Sequence, residues 1–179
     1  AAAPPLRAEH VLGTMPNIPA NRVNVQLDVA AAGYVLAGEE LSGIHALRAA
    51  ADALAGDRVE LALVGALDVD GGLRAPLRGT GDAGVMLAVT TDARARSRGW
   101  TILGRLGAPT VEGPAAGYVP GPGVGPAFEG LLAVARSLVG APGTRTVRVR
   151  AAGGSQAVLD VESLGGAFDS APSAAGPVF

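Results

Sequence analysis

The sequence predicts an α/β fold built as two strand–helix–strand–strand halves, with central helices packed between sheets. Three observations predict it. Glu39 to Ala55 is a helix that is small and apolar on almost every side. Pro126 to Val139 is a second such helix. Short apolar runs bounded by Gly, Asp and Pro flank both. A helix with so little polar surface is buried between layers, and layer logic asks for cover on both sides.

The first half is organised around Asp28 to Val69. Tyr34 to Ala37 is a short apolar run leading to Gly38, read as a strand. Leu41, Ile44, Leu47, Ala51 and Leu54 then recur at helical spacing. Glu39 and Glu40 stand at the helix start, where the dipole favours negative charge by roughly 0.3–1 kcal/mol. Helix-start chemistry is therefore a sufficient reading of both acids. Gly56-Asp57 ends the helix, and Val59 to Val64 is the next strand. Strand, helix and strand in this order suggest a parallel crossover.

The remaining elements follow in order. Residues 1–13 are an Ala/Pro tail, and 14–106 form the N-terminal half. Arg22 to Val29 alternates Val23, Val25, Leu27 and Val29 with polar residues, the pattern of a half-buried strand. Asp70 to Gly81 is turn-rich, and Val85 to Thr90 is a strand. Asp92 to Gly99 is a charged turn, and Trp100 to Leu106 a further strand. Residues 107–125 hold six Gly and four Pro without periodicity, a linker or long loop. The C-terminal half, 126–161 of the same domain, is the second helix followed by a hairpin. Its strands are Thr144 to Ala151 and Ser155 to Val161, a hairpin around Gly153-Gly154 read as a two-residue connection. Residues 162–179 form a second tail.

Composition excludes several functions. At 179 residues the chain is one domain by length. Hydrophobic residues are 49% and aromatics 3%, so the core is Ala, Val and Leu. Net charge is −2, all 14 basic residues are Arg, and no basic patch carries interleaved aromatics. Nucleic-acid binding is not expected. The absence of Cys removes disulfides, Cys-ligated metals and thiol nucleophiles together. It suits a reducing, cytoplasmic setting. No apolar run reaches the roughly 20 residues of a membrane helix, and the start AAAPPLRAEH lacks a signal-peptide layout. The missing initial Met suggests a piece of a longer protein.

Side-chain chemistry is sparse. His10 lies in the tail, and His45, one turn into the first central helix, reads as a packed or surface residue. Ser42 lacks a His-Asp set for nucleophilic catalysis. Asp68, Asp70 and Asp82 sit in turns that favour Asp anyway. No metal and no cofactor are expected. Arg94, Arg96 and Arg98 read as a solvated face, or as a docking point for an acidic carrier protein.

Met15 to Val29, followed by AAAGYVLAGEELSGIHAL, resembles the nucleophile region of the β-ketoacyl synthase (condensing enzyme) family of the thiolase superfamily. More narrowly, it is similar to chain-length-factor-type condensing domains of polyunsaturated fatty acid synthases and related polyketide synthases. The family's Gly-Pro-Ser falls on Ala31-Ala32-Gly33, and its next strand on Tyr34 to Leu36. Asp-Thr-Ala falls on Ala37-Gly38-Glu39, the nucleophilic Cys on Glu40, and Ser-Ser-Ser-Leu on Leu41-Ser42-Gly43-Ile44. ELALVGALDV and Thr80 to Trp100 continue the resemblance. The second helix resembles the one following the family's second catalytic His. Gly130 fits the final Gly of that pattern, which places Val124 at the His position. The resemblance implies a reduced thiolase-like fold.

A condensing enzyme needs a thiolate for the acyl chain and two His for the charge developed during decarboxylation and condensation. Glu40 replaces the Cys, and neither His falls on a catalytic position. The resemblance therefore points to a non-catalytic homologue acting as structural or dimerisation partner in a fatty acid or polyketide synthase. Tyr34, Val35, Leu36 and Ala37 would form the interface strand of a homodimer or of a heterodimer with a ketosynthase. An acyl carrier protein is a further candidate partner. Two alternatives stay open. One is a decarboxylase of malonyl-carrier-protein using Glu40, and the other is a folded docking or linker domain of a megasynthase.

Overall fold

The structure is a computed structural model that describes residue 15 and residues 17–68, 83–114 and 126–165. Helix α1 is Ile18–Gln26. A single 3₁₀ turn, Glu39–Leu41, leads into α2, Ser42–Ala55. Strands β1, Ala62–Asp68, and β2, Ala83–Val89, follow. After them come α3, Asp92–Ser97, and the short strands β3, Gly104–Leu106, and β4, Thr110–Glu112. Helix α4 is Glu129–Leu138, and β5, Gly143–Arg150, and β6, Gln156–Ser163, complete the fold.

The layers are those of the expected α/β class. β1 and β2 make one sheet. β6 is the centre of the other, with β5 on one side and β3 and β4 along the opposite side. Helices α2 and α4 pack on each other between these sheets: α2 lies on β1, and α4 touches β2, β5 and β6. Gly43, Ile44, Leu47, Ala50 and Leu54 are the buried face of α2. The sequence stripe is thus correct except that Ala50, not Ala51, faces inward. Gly130, Leu131, Val134 and Leu138 are the matching face of α4. Ile44, Leu131, Val134, Ala157 and Val161 are wholly buried at the centre.

Two glycines set the helix crossing. A Cβ at Gly43 would lie 2.7 Å from the Leu131 Cβ and 3.2 Å from the Ala66 Cβ. A Cβ at Gly130 would lie 3.1 Å from both Ile44 Cγ1 and Val149 Cγ2. The helices approach where each lacks a side chain.

Several expectations are corrected. Tyr34 to Ala37 is not a strand: residues 32–38 carry no regular structure. A strand needs a neighbour for its N–H and C=O groups, and no described strand pairs with this run. Without it the parallel crossover is lost, and every ladder among the described residues is antiparallel. Arg22 to Val29 is helical as far as Gln26. Its alternation has no sheet to join, and Pro19 is preset for a first helical turn. The helix ends in a Schellman arrangement, with Asp28 at φ 51° and Val29 N donating to Asn24 O at 2.9 Å.

Asp92 to Ser97 is a short helix rather than a turn, because the Thr91 hydroxyl accepts from Arg94 N and supplies an N-cap. Trp100 N closes that helix onto Ala95 O, so the next strand is shortened to Gly104–Leu106. Residues 110–112, inside the expected linker, form β4. Three residues of the β3–β4 edge, Gly107 to Pro109, oppose two of β6, Asp160 and Leu159, which is a bulge. Pro109 falls where a missing donor costs least. The hairpin connection is three residues, 152–154, not two: Ala151 N donates to Ser155 O, Gly154 N donates to Ala151 O, and Gly154 takes φ 85°. β6 also runs two residues past the expected boundary, to Ser163, whose buried hydroxyl donates to Leu138 O at 2.8 Å. Residues 1–14, Asp70 to Gly81, Val124 and the end of the second tail lie outside the described residues.

Candidate functional site

The backbone turns sharply before α2. Leu41 N donates to Gly38 O at 2.9 Å. The Ser42 hydroxyl accepts from Gly38 N at 3.0 Å and donates to Glu39 O at 2.7 Å. That hydroxyl is engaged in forming the turn. Glu39 sits at φ 51°, a left-handed conformation that costs an L residue roughly 1–2 kcal/mol. A Cβ at Gly38 would lie 2.6 Å from His45 Cδ2, so the half-buried imidazole fills the space that Gly38 leaves.

The strained turn aims Glu40 inward. Its side chain is 1% exposed, and it is one of the two buried polar residues of the described core. The turn that carries it lies against β5 and α4. Glu40 Oε2 accepts from Ala152 N, in the β5–β6 connection, at 3.4 Å. Oε1 is buried with no hydrogen-bond partner. Buried polar atoms are nearly always satisfied, so an orphan carboxylate oxygen is a costly feature that packing elsewhere sustains. Glu39, by contrast, is exposed. The two acids that share helix-start chemistry in the sequence therefore separate: only Glu40 belongs to an interior site.

The other candidate residues stand apart. Tyr34, Val35 and Leu36 are exposed, at 56%, 45% and 38%, immediately ahead of the turn. Ala37 is exposed beside them. Asp68 Oδ2 accepts from Ala127 N at 3.1 Å and ties the end of β1 to the approach to α4. Among the described residues no group of three or more His, Cys, Asp or Glu could hold a metal ion. No described helix is long and apolar enough to cross a membrane.

All three arginines of the charged segment are engaged. Arg94 pairs with Asp57 and donates to Val59 O at 3.0 Å. Arg96 pairs with Asp92 at 2.6 Å, and Arg98 with Glu60 at 2.9 Å. Arg105 bridges Asp92 and Glu162, each at 3.1 Å. An acidic partner would have to compete with these carboxylates.

The hydrogen bond from Arg96, with further help from Arg105, holds the Asp92 carboxyl below its ordinary value of 3.8. A depressed acid adds stability above its unfolded-state value and loses it as pH falls through the folded-state value. Asp92→Asn is therefore expected to lower the urea midpoint at pH 7 in low salt. The difference from wild type should begin to shrink as pH falls past 3.8, be gone once pH is below the lowered folded-state value, and shrink in high salt at pH 7. Urea titrations at a series of pH values from 7 downward, and at two salt concentrations, check it.

Two sheets enclosing two central helices, with a buried side chain at a strained turn opening the first, define a thiolase-like α/β domain. Residues 2–127 match the N-terminal domain of β-ketoacyl synthase. The chain belongs to the β-ketoacyl synthase family. No curated protein matches the chain. The matched segment contains the whole turn, α2 and β1–β2, and it ends just before α4.

Proposed function

We propose that this chain is a non-catalytic member of its family, a structural or dimerisation partner within a fatty acid or polyketide synthase. One observation carries the reading. On the resemblance set out above, Glu40 occupies the nucleophile position, and its carboxylate is 1% exposed beneath α4 and the β5–β6 connection. A condensing enzyme loads its acyl chain on a thiolate. A buried carboxylate in a chain with no Cys offers no thioester and no approach for one. The apolar run Tyr34 to Ala37 supports the partnering half of the proposal. It is exposed, no described strand pairs with it, and it leads straight into the turn that carries Glu40. The same run of a second copy, or a strand of a ketosynthase, would supply the neighbour that it lacks.

The test is malonyl-carrier-protein decarboxylation followed by mass spectrometry, with wild type beside Glu40→Ala. The expected outcome is no CO₂ loss above the carrier-protein blank from either protein. Turnover by wild type that Glu40→Ala abolishes would overturn the reading and make the chain a decarboxylase. Sedimentation at high concentration, alone and with a ketosynthase, tests the partner: a monomer under both conditions counts against it.

A further inference from the structure

Among the described strands of the larger sheet, β6 is paired on both sides and β5 on one only. The phase of the hydrogen bonds tells which groups β5 leaves over. Ala151 N donates to Ser155 O at 2.8 Å, so these two residues form a hydrogen-bonded pair. Such pairs alternate along an antiparallel ladder. In the register of β5 on β6, Gly143, Arg145, Val147 and Val149 therefore direct their N–H and C=O groups to β6. Thr144, Thr146, Arg148 and Arg150 direct theirs to the free edge, where no described residue bonds to them. β5 is eight residues long, about 27 Å of strand. An open edge of that length is a template for a further strand.

Charge supplies a second, independent observation. Val147 and Val149 face the core and are buried, so the alternate residues Thr144, Thr146, Arg148 and Arg150 stand on the outer face, and all four are exposed. The acids around them on that face are already engaged. Asp160 accepts from the Thr146 hydroxyl at 2.6 Å, Glu162 pairs with Arg105 at 3.1 Å, and Glu112 accepts from the Gln156 amide at 2.8 Å. Arg148 stands opposite Val158 and Arg150 opposite Gln156. Neither arginine has an ion pair or a side-chain hydrogen bond among the described residues. Two unmatched positive charges, two residues apart, thus lie on the strand whose backbone is open.

Backbone and charge together select the occupant. Charged side chains on an edge strand guard it against indiscriminate pairing. They do so by penalising any strand that brings no opposite charge to them. A second copy of β5 is such a strand, because GTRTVRVR contains no acid. A strand with carboxylates two residues apart is admitted by the same rule. We infer that the free edge of β5 is a docking edge for an acidic, extended segment of a partner polypeptide. The segment adds antiparallel to β5, as the neighbouring strand β6 does, with carboxylates opposite Arg148 and Arg150. The residues opposite these arginines are the ones whose own N–H and C=O groups face β5. Neither Glu40 nor the run Tyr34 to Ala37 enters this inference, so it stands apart from the function proposed above.

The probe is a fluorescein-labelled peptide of about eight residues, the length of β5, in which Val and Glu alternate. A second peptide carries Lys in place of every Glu. Fluorescence anisotropy with the full chain is expected to show the Glu peptide bound at least tenfold tighter than the Lys peptide. Arg148→Glu/Arg150→Glu should reverse that order while leaving the far-ultraviolet circular dichroism unchanged, since both side chains are exposed. N-methylation of the peptide separates strand addition from charge attraction alone. Methyl groups on the Glu nitrogens, which face β5, should weaken binding at least tenfold, and methyl groups on the Val nitrogens, which face away, should not. Equal binding of the Glu and Lys peptides overturns the inference. So does full affinity of the peptide methylated at Glu, which would leave an ion-pair contact without a strand. A dimer of the chain that excess Glu peptide dissolves also overturns it, because the occupant would then be a second copy.

Discussion

Replacing Gly43 by valine is expected to destabilise the fold by about 1–3 kcal/mol, toward the upper end of that range. The new Cβ would lie 2.7 Å from the Leu131 Cβ and 3.4 Å from Leu131 N. Those atoms belong to the neighbouring helix itself and cannot swing aside as the tip of a side chain can. Relief requires α2 and α4 to separate, and separation thins contacts made by Ile44, Leu131 and Val134, all wholly buried. Gly130→Ala should be milder, because its nearest neighbours at 3.1 Å are the branches of Ile44 and Val149, which can shift by a few tenths of an ångström. Urea denaturation measures both. The midpoint should fall further for Gly43→Val than for Gly130→Ala, with the slope unchanged in each if only native-state packing is altered. A midpoint for Gly43→Val equal to wild type would mean that the helices do not cross here.

The same pair of glycines shows what the sequence could and could not disclose. The existence of the two central helices was legible because helical periodicity is a local property: Leu41, Ile44, Leu47 and Leu54 lie within four turns of one another. The hairpin of β5 and β6 was legible for the same reason. What depends on a distant neighbour was not. Arg22 to Val29 alternates as a strand would, but without a sheet beside it the first-turn Pro19 prevails and a helix forms. Tyr34 to Ala37 has the composition of a strand and no described partner, so it carries no regular structure and is exposed.

The site divides along the same line. Glu40 was singled out by its place in a motif, while helix-start chemistry explained it and Glu39 equally well. The strained φ of Glu39 and the inward rotation of Glu40 are consequences of the turn that Ser42 and Gly38 close. The Ala152 amide that meets Glu40 is 112 residues away, in a connection whose length the sequence suggested wrongly. No local pattern could pair the two. Gly153-Gly154 marked the right place for a turn, but the extra residue that aims Ala152 N toward Glu40 came with the three-residue form of the loop.

Glu40→Met is expected to raise stability rather than lower it, by about 1–3 kcal/mol, the order of cost of leaving a buried polar atom unsatisfied. Met has nearly the length of Glu and carries no oxygen to desolvate, so it can follow the same path beneath α4 and β5 without the orphan Oε1. The loss on the other side is small. The contact from Ala152 N is long, at 3.4 Å, and Ala152 has another interaction besides. Glu40→Ala should behave differently, because it removes the orphan oxygen and also leaves a cavity, so its net change should lie below that of Glu40→Met. Thermal unfolding of wild type and both variants orders the three. If Glu40→Met is the most stable, the buried carboxylate is a feature the fold tolerates rather than one it needs, and a reason for it must be sought in what contacts this site. If Glu40→Met is less stable than wild type, Glu40 is a structural tie between the turn and the β5–β6 connection, and the hydrogen bond to Ala152 is worth more than its length suggests.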